Sequence, residues 1–238
     1  MKFHAPLIEG TLIKRYKRFL TDVKLKSGEV VVAHCANSGS MLSVNEPGAR
    51  VWLSPAQNPD RKLRYTWEII EINGHLVGIN TGYPNKIVAE AIEAGQIKEL
   101  KGYASLKREQ KYGKNSRIDI LLESENKPPC YVEVKNVTMR RHFGPKDPAE
   151  FPDAVTARGA KHLVELTDMV KKGARAVMFY MVQRGDCKSF TIASDIDPTY
   201  AIELKKALKS GVEAICYGCD VSPNGVTITK PLRLILPN

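Results

Sequence analysis

The sequence predicts an α/β (α+β) chain in two units, a small N-terminal β-barrel followed by a mixed-sheet domain. Three observations carry this. The first eighty residues alternate apolar and polar side chains in short runs split by turn residues, the pattern of half-buried strands. From Lys86 onward, helix-period patterns take turns with apolar runs, as in an α/β layer. Between them Asn80-Thr81-Gly82-Tyr83-Pro84-Asn85 breaks the strand pattern. The boundary is therefore expected near Gly82, giving units 1–82 and 83–238.

In chain order, Thr21 to Leu25 alternates, Lys26-Ser27-Gly28-Glu29 turns, and Val30 to His34 resumes. Ala49 to Leu53 and Arg64 to Ile72 follow, and Asn73-Gly74 makes a strong hairpin signal before His75 to Ile79. About five strands in so short a segment favour a small barrel, with the oligonucleotide-binding (OB) type first. In the second unit Lys86 to Ile97 reads as a helix, with Ile87, Ala91 and Ala94 on one row and Val88 and Ile92 on the next. Strand-like stretches follow from Tyr103, with Gly113 to Ser116 as the turn into Arg117–Leu122. Arg158 to Lys172 is an amphipathic helix with Leu163, Leu166 and Val170 inward and Gly173 as its stop. Ala174 to Val182 reads as a strand buried on both faces. Asp197-Pro198 starts another helix, running to Lys209. Glu213 to Val221 and Val226 to Ile235 close the chain around Asn224-Gly225.

The chain of 238 residues carries 36 Lys and Arg against 26 Asp and Glu, a formal charge of +10. That balance fits a polyanionic partner. Five cysteines without a framework pattern suit a reducing compartment. There is no run of eighteen apolar residues and no apolar signal core at the start, so the expectation is a cytoplasmic protein without a membrane span. Cys216-x-x-Cys219 has no second pair at zinc spacing. No phosphate-binding glycine loop and no nucleophile triad is legible.

Two segments have chemical content. Lys14-Arg15-Tyr16-Lys17-Arg18-Phe19 interleaves cations with aromatics, as a phosphate-tracking and base-stacking surface does. The plainer reading keeps Tyr16 and Phe19 in a strand core with the cations solvated. Trp52, Tyr65 and Trp67 are stacking candidates, with barrel core the better reading. The second segment is Arg117–Thr138, two apolar strands carrying Asp119 in the first and Glu133 and Lys135 in the second. Side chains two apart on a strand share a face, so Glu133 and Lys135 point together. An exposed ion pair of that kind contributes almost nothing. With an aspartate on the neighbouring strand, however, two carboxylates converge where Mg²⁺ or Mn²⁺ would find oxygen ligands. Asp119 and Glu133 would be those ligands, with the Val134 carbonyl third and Lys135 as catalytic cation. Arg140 and Arg141, in the breaker-rich loop that follows, would engage flanking phosphates.

These segments carry a resemblance. The pattern D-x(n)-E-x-K across adjacent strands, within a helix–strand–strand–strand–helix–strand order, resembles the PD-(D/E)XK nuclease superfamily, with Ile118 where its name expects proline. More closely, SRIDILL, CYVEVKNVT, FPDAVTARGAKHL and the late VQR resemble the sugar fermentation stimulation protein A family. TGYPNKIV, IDPTYA and GVEAICYGCDV fit it too, so the resemblance covers essentially the whole chain. It implies an OB-like N-terminal domain, a PD-(D/E)XK nuclease-like C-terminal domain, and DNA binding with little sequence preference. A Mg²⁺-dependent phosphodiesterase is the first functional expectation. A non-catalytic DNA-binding factor in sugar (maltose) metabolism is the alternative, and a homo-oligomer stays open. Carried over, the superfamily motif falls on Asp119, Glu133 and Lys135. Glu109, ahead of Glu90 and Glu93, is a further candidate carboxylate, and Lys161, His162 and Gln183 match family segments.

Overall fold

The N-terminal unit forms six strands, β1 (Ile8–Tyr16), β2 (Leu20–Leu25), β3 (Val30–Cys35), β4 (Arg50–Pro55), β5 (Tyr65–Ile72) and β6 (His75–Gly78), of which β2 and β3 alternate while β4 and β5 carry continuous buried runs. In β3, Val31, Ala33 and Cys35 turn inward while Val30 and Val32 face outward. The structure is a computed structural model, and it describes residues 1–113 and 116–236. The sheet runs β3-β2-β1-β4-β5-β6, and a parallel pairing of β3 with β5 (Ala33↔Tyr65 to Cys35↔Trp67) closes the first five strands into a barrel. Leu12, Val23, Trp67, Ile70 and Val77 fill it.

The second unit begins with α1 (Pro84–Glu93), whose N-terminal proline needs no amide partner. After a 3-10 turn (Lys98–Leu100) come β7 (Ser105–Tyr112), β8 (Ser116–Ser124), β9 (Lys127–Val137), β10 (Ala149–Phe151), α2 (Ala157–Lys171), β11 (Arg175–Val182), β12 (Ser189–Ile192), α3 (Pro198–Lys209), β13 (Glu213–Ser222), β14 (Gly225–Pro231) and β15 (Arg233–Ile235). Six of these strands form one mixed sheet, β14-β13-β11-β9-β8-β7. β9, β11 and β13 run parallel at its centre, and β7, β8 and β14 pair antiparallel. Residues Ala176 to Val182 of β11 are fully buried, as a strand covered on both faces must be. α1 packs on one face; α2 and α3 cover the other. Asp197 ties the two helix starts together: Oδ1 accepts the Tyr200 N–H at 2.9 Å and Oδ2 the Thr156 N–H at 2.8 Å. Among the described residues no helix is long and apolar enough to cross a membrane.

The two units lock together where β6 meets the end of β11. The Gly78 N–H donates to the Gln183 carbonyl at 3.0 Å, and Val77 bridges Arg184. A Cβ at Gly78 would press on the Gln183 side-chain amide, so a larger residue there would have to displace that side chain from the junction. Met41 and Ser40 of the barrel also bond Asp153, at 2.9 and 2.5 Å.

Several expectations are corrected. α1 starts two residues earlier than its apolar pattern and stops before Gly95, whose φ of +66° ends it. The expected loop after Thr138 contains β10, which joins β12 and β15 in a small parallel sheet; three- and four-residue strands leave too little periodicity to read. Phe19 is not in the core but 47% exposed. Trp67 is barrel core, whereas Trp52 is buried between the units against the α1 side of the mixed sheet. Tyr65 is half-buried on the barrel cluster. The turn expected at Gly113 to Ser116 includes residues 114 and 115, which lie outside the described residues.

Candidate functional site

β8 and β9 pair only as far as Ile120↔Val132. Beyond that point Asp119 Oδ2 takes the place of a ladder carbonyl and accepts the Val134 N–H at 2.7 Å. The splay brings Asp119 beside Glu133 and Lys135. On β9, Lys135 Nζ donates to Glu133 Oε1 at 2.7 Å, with side-chain exposures of 14% and 3%. From α2, His162 Nδ1 contacts the same oxygen, and Arg158 Nε donates to His162 Nε2 at 3.4 Å.

Glu133 Oε2 is buried and has no partner among the described residues. A buried carboxylate oxygen left unmatched is costly, and a hard cation with its waters is the chemistry that would satisfy it. The electrostatics point the same way. Burial, then the charge of Glu133, pushes the Asp119 carboxyl up to about 6, against the Val134 N–H, Lys135 and Asn85. Burial also raises Glu133, but the His162 bond and the Lys135 charge outweigh it, and its pKa is lowered. One carboxylate is thus held ionised, and its neighbour resists ionising in its presence.

Asn85, at the second position of α1, ties in a third carboxylate. Its Nδ2 donates to Asp119 Oδ1 at 2.7 Å and to Glu109 Oε1 at 2.9 Å. Glu109 has a φ of +54° in mid-strand, although the β7–β8 register is the same on both sides of it. A non-glycine residue in that region is strained, and here the strain sits opposite Asp119. Glu165, one turn after His162 on α2, is buried, and among the described residues neither of its carboxylate oxygens accepts a hydrogen bond. The buried Tyr112 hydroxyl is likewise unpartnered. The pKa of Tyr112 rises through burial and then the charges of Glu133, Glu165 and Asp119.

Asp119, Glu133, Lys135, His162 and Glu109 are therefore brought together. The others are not. Glu90 pairs with the N-terminal ammonium at 2.9 Å, Glu93 is exposed, and Lys161 reaches Glu165 at 3.7 Å. Gln183 is 1% exposed and donates to Asn136 Oδ1 at 2.7 Å, an interior role at the junction. Arg140 is buried and donates to Asp186 Oδ2 at 2.7 Å and the Gly144 carbonyl at 2.7 Å. Arg141 bonds Glu150 and Asp195. Arg15 donates to the carbonyls of Asn37, Gly39 and Ser40. These three arginines brace loops, since each ties together partners from more than one segment. Lys14 is exposed but 3.7 Å from Asp22. Lys17 and Arg18 stay exposed at the β1–β2 hairpin tip, with φ of 47° and 63°. Next to them Phe19 stacks on His34, ring centroids 6.5 Å apart.

Sequence reasoning missed Asn85, which sits among turn residues, and Glu165. The signal for Glu165 was its spacing of three from His162, beside the inward Leu163 and Leu166. A cleft of about 230 Å³ lies beyond Lys135, between Asn136 and Thr138 of the second unit and Asn37 and Thr81 of the first.

Residues 82–225 match the family model described as the sugar fermentation stimulation protein RE domain, and residues 13–79 match the SfsA N-terminal OB domain. A sugar fermentation stimulation protein homolog from Paramagnetospirillum magneticum is 59% identical, covering 99% of this chain and 98% of the relative. The homolog from Rhodospirillum rubrum is 58% identical over the full length of both. Among solved structures, Pyrococcus furiosus SfsA in complex with Ca²⁺ superposes with a TM-score of 0.87 at 28% identity, covering 99% of this chain and 98% of that one.

Proposed function

We propose that this chain, which belongs to the sugar fermentation stimulation protein family, binds DNA with little sequence preference and hydrolyses its phosphodiester bonds with a divalent cation. The observation that carries this reading is the buried Glu133 Oε2, which has no hydrogen-bond partner among the described residues, beside the Asp119 carboxyl. The relative solved with Ca²⁺ supports a hard cation in this family.

Asp119 and Glu133 would hold the cation, with the Val134 peptide adjacent and waters completing the shell. When bound, it would neutralise a phosphoryl oxygen and lower the pKa of a water. Lys135, oriented by Glu133, would orient the attacking water or donate to the charge that develops on the phosphoryl oxygens. His162 fixes the Glu133 carboxylate from behind, and Asn85 fixes Asp119. The division falls near Gly82: the barrel holds DNA through Lys17, Arg18 and Phe19, and the second domain cuts it.

Cation binding is expected to be measurable without DNA. Titration calorimetry with Mn²⁺ should give saturable binding to the wild type, weakened at least about tenfold in Asp119→Asn and Glu133→Gln. Heats that do not distinguish the three proteins would remove the metal reading. Binding to DNA is expected to weaken linearly in log–log plots against salt. Each hairpin cation lost in Lys17→Ala or Arg18→Ala should flatten the slope by about 0.9 for duplex DNA. Fluorescence anisotropy on mixed-sequence duplexes checks this, and a salt-independent affinity would contradict it.

A further inference from the structure

A second polar cavity, of about 450 Å³, opens on the barrel away from the carboxylates. Its walls include His4, His34, Arg61, Glu68, Asn80 and Tyr83. Glu68 is the anomaly. It stands in the middle of the buried run of β5, is 2% exposed, and yet lines the cavity. Ser54 Oγ and Tyr83 OH donate to its Oε1, at 2.6 and 3.3 Å, and Asn80 Nδ2 to its Oε2 at 2.7 Å. A carboxylate oxygen can accept two bonds, so Oε2 keeps an acceptor position. Burying a carboxylate is costly, and three neutral donors have been gathered to keep this one in place. Small-ligand sites have this form, a cavity of roughly 300–1,000 Å³ with a few fixed polar groups.

We infer that this cavity takes a single unpaired nucleotide, its base directed toward Glu68 and its phosphate toward Arg61. The inference deepens the DNA-binding reading and rests on it. The N–H donors of a base edge complement the Glu68 carboxylate, and a guanidinium complements phosphate. Arg61 is oriented by its Nη1 bond to Thr66 Oγ1 at 2.9 Å. His34 joins the cavity to the hairpin tip: it lines the cavity and stacks on exposed Phe19, beside Lys17 and Arg18. Burial and the Arg61 charge lower its pKa, which suits a neutral stacking ring. At the other side, Tyr83 lines the cavity and precedes α1, and Asn85 two residues later bonds Asp119 and Glu109. Cavity and carboxylates thus flank one turn, so an unpaired nucleotide seated in the first positions the adjoining strand at the second.

The test uses the full chain with three probes: a single-stranded oligonucleotide carrying terminal 2-aminopurine, a blunt duplex of equal length, and the four deoxynucleoside monophosphates. The single strand should bind about tenfold more tightly than the duplex at equal salt, with a change in 2-aminopurine emission. Glu68→Gln and Arg61→Ala should each weaken that binding about tenfold and leave the duplex unchanged. Arg61 is only partly buried, so its variant keeps the test valid should Glu68→Gln fail to fold. Equal binding of single strand and duplex, or variants indistinguishable from wild type, would overturn the cavity while DNA binding stood. If the wild type binds no DNA, the functional reading falls and monophosphate calorimetry decides. Saturable heat lost in Arg61→Ala would uphold the cavity, and no heat from any of the four would overturn it.

Discussion

Lys135→Ala is expected to lower Mg²⁺-dependent DNA cleavage about 100- to 1,000-fold, the usual effect of removing one donor aimed at developing charge. DNA affinity should stay within a few-fold, because the Lys135 side chain is only 14% exposed and its ammonium is turned to Glu133. The variant also loses one of the two groups that hold Glu133 ionised, leaving the His162 contact. Asp119→Ala should be at least as damaging, since it removes the proposed cation ligand and the acceptor of the Val134 N–H. His162→Ala touches neither substrate nor cation in this reading. Its effect should therefore be smaller, about 10- to 100-fold as for other groups that orient a metal ligand, and should appear partly as weaker Mn²⁺ affinity. Single-turnover assays on plasmid, linear and branched DNA would read all three. Equal residual cutting by wild type, Lys135→Ala and Asp119→Ala would mark the cutting as contamination and leave a DNA-binding protein without catalysis.

What was legible in the sequence divides along a physical line. Asp119, Glu133 and Lys135 stood out because charge in an apolar strand violates a local rule. Asp197-Pro198 and the Asn-Gly turns were legible for the same reason: one or two residues specify the conformation. Arg140 and Arg141 read as free phosphate ligands because Asp186 and Asp195 are remote and Glu150, nine residues from Arg141, faces it only once β10 has formed. Asp186 is 46 residues from Arg140, and Asp195 is 54 from Arg141. Charge counting along a loop cannot see a partner delivered by the sheet. Asn85 and Glu165 were hidden differently, each being an ordinary residue until the splay of β8 from β9 and the seating of α2 give it something to face. The strain at Glu109 has no local cause at all; Leu106-Lys107-Arg108-Glu109-Gln110 contains no turn residue, and only the Asn85 bond explains where its carboxylate points.

The largest stability effect is expected far from the carboxylates, at Asp186. Its side chain, 2% exposed, accepts from Arg184 Nε at 2.7 Å and Nη2 at 2.9 Å, and from Arg140 Nη1 at 2.7 Å. Arg184 is itself fully buried and also donates to the Thr138 carbonyl at 2.8 Å. Removing the carboxylate leaves two guanidiniums in the interior with no counter-charge. Asp186→Ala should therefore lose about 3–5 kcal/mol of unfolding free energy, measured by urea denaturation at pH 7. The pH dependence has a definite sign. Burial alone would raise the Asp186 carboxyl, but the Arg184 and Arg140 bonds and charges hold it far below its ordinary value of 3.8. A depressed folded pKa means the contribution is complete above the unfolded value and declines as pH falls below about 3.8. The gap between wild type and Asp186→Ala should therefore be constant from pH 5 to 7 and narrow in more acidic solution. A triple variant, Asp186→Leu with Arg184→Met and Arg140→Met, should recover much of the loss, because packed apolar groups replace the whole buried ionic cluster at little cost. If Asp186→Ala instead unfolds at the wild-type urea concentration, the cluster is hydrated in solution, and Arg140 becomes available to phosphate after all.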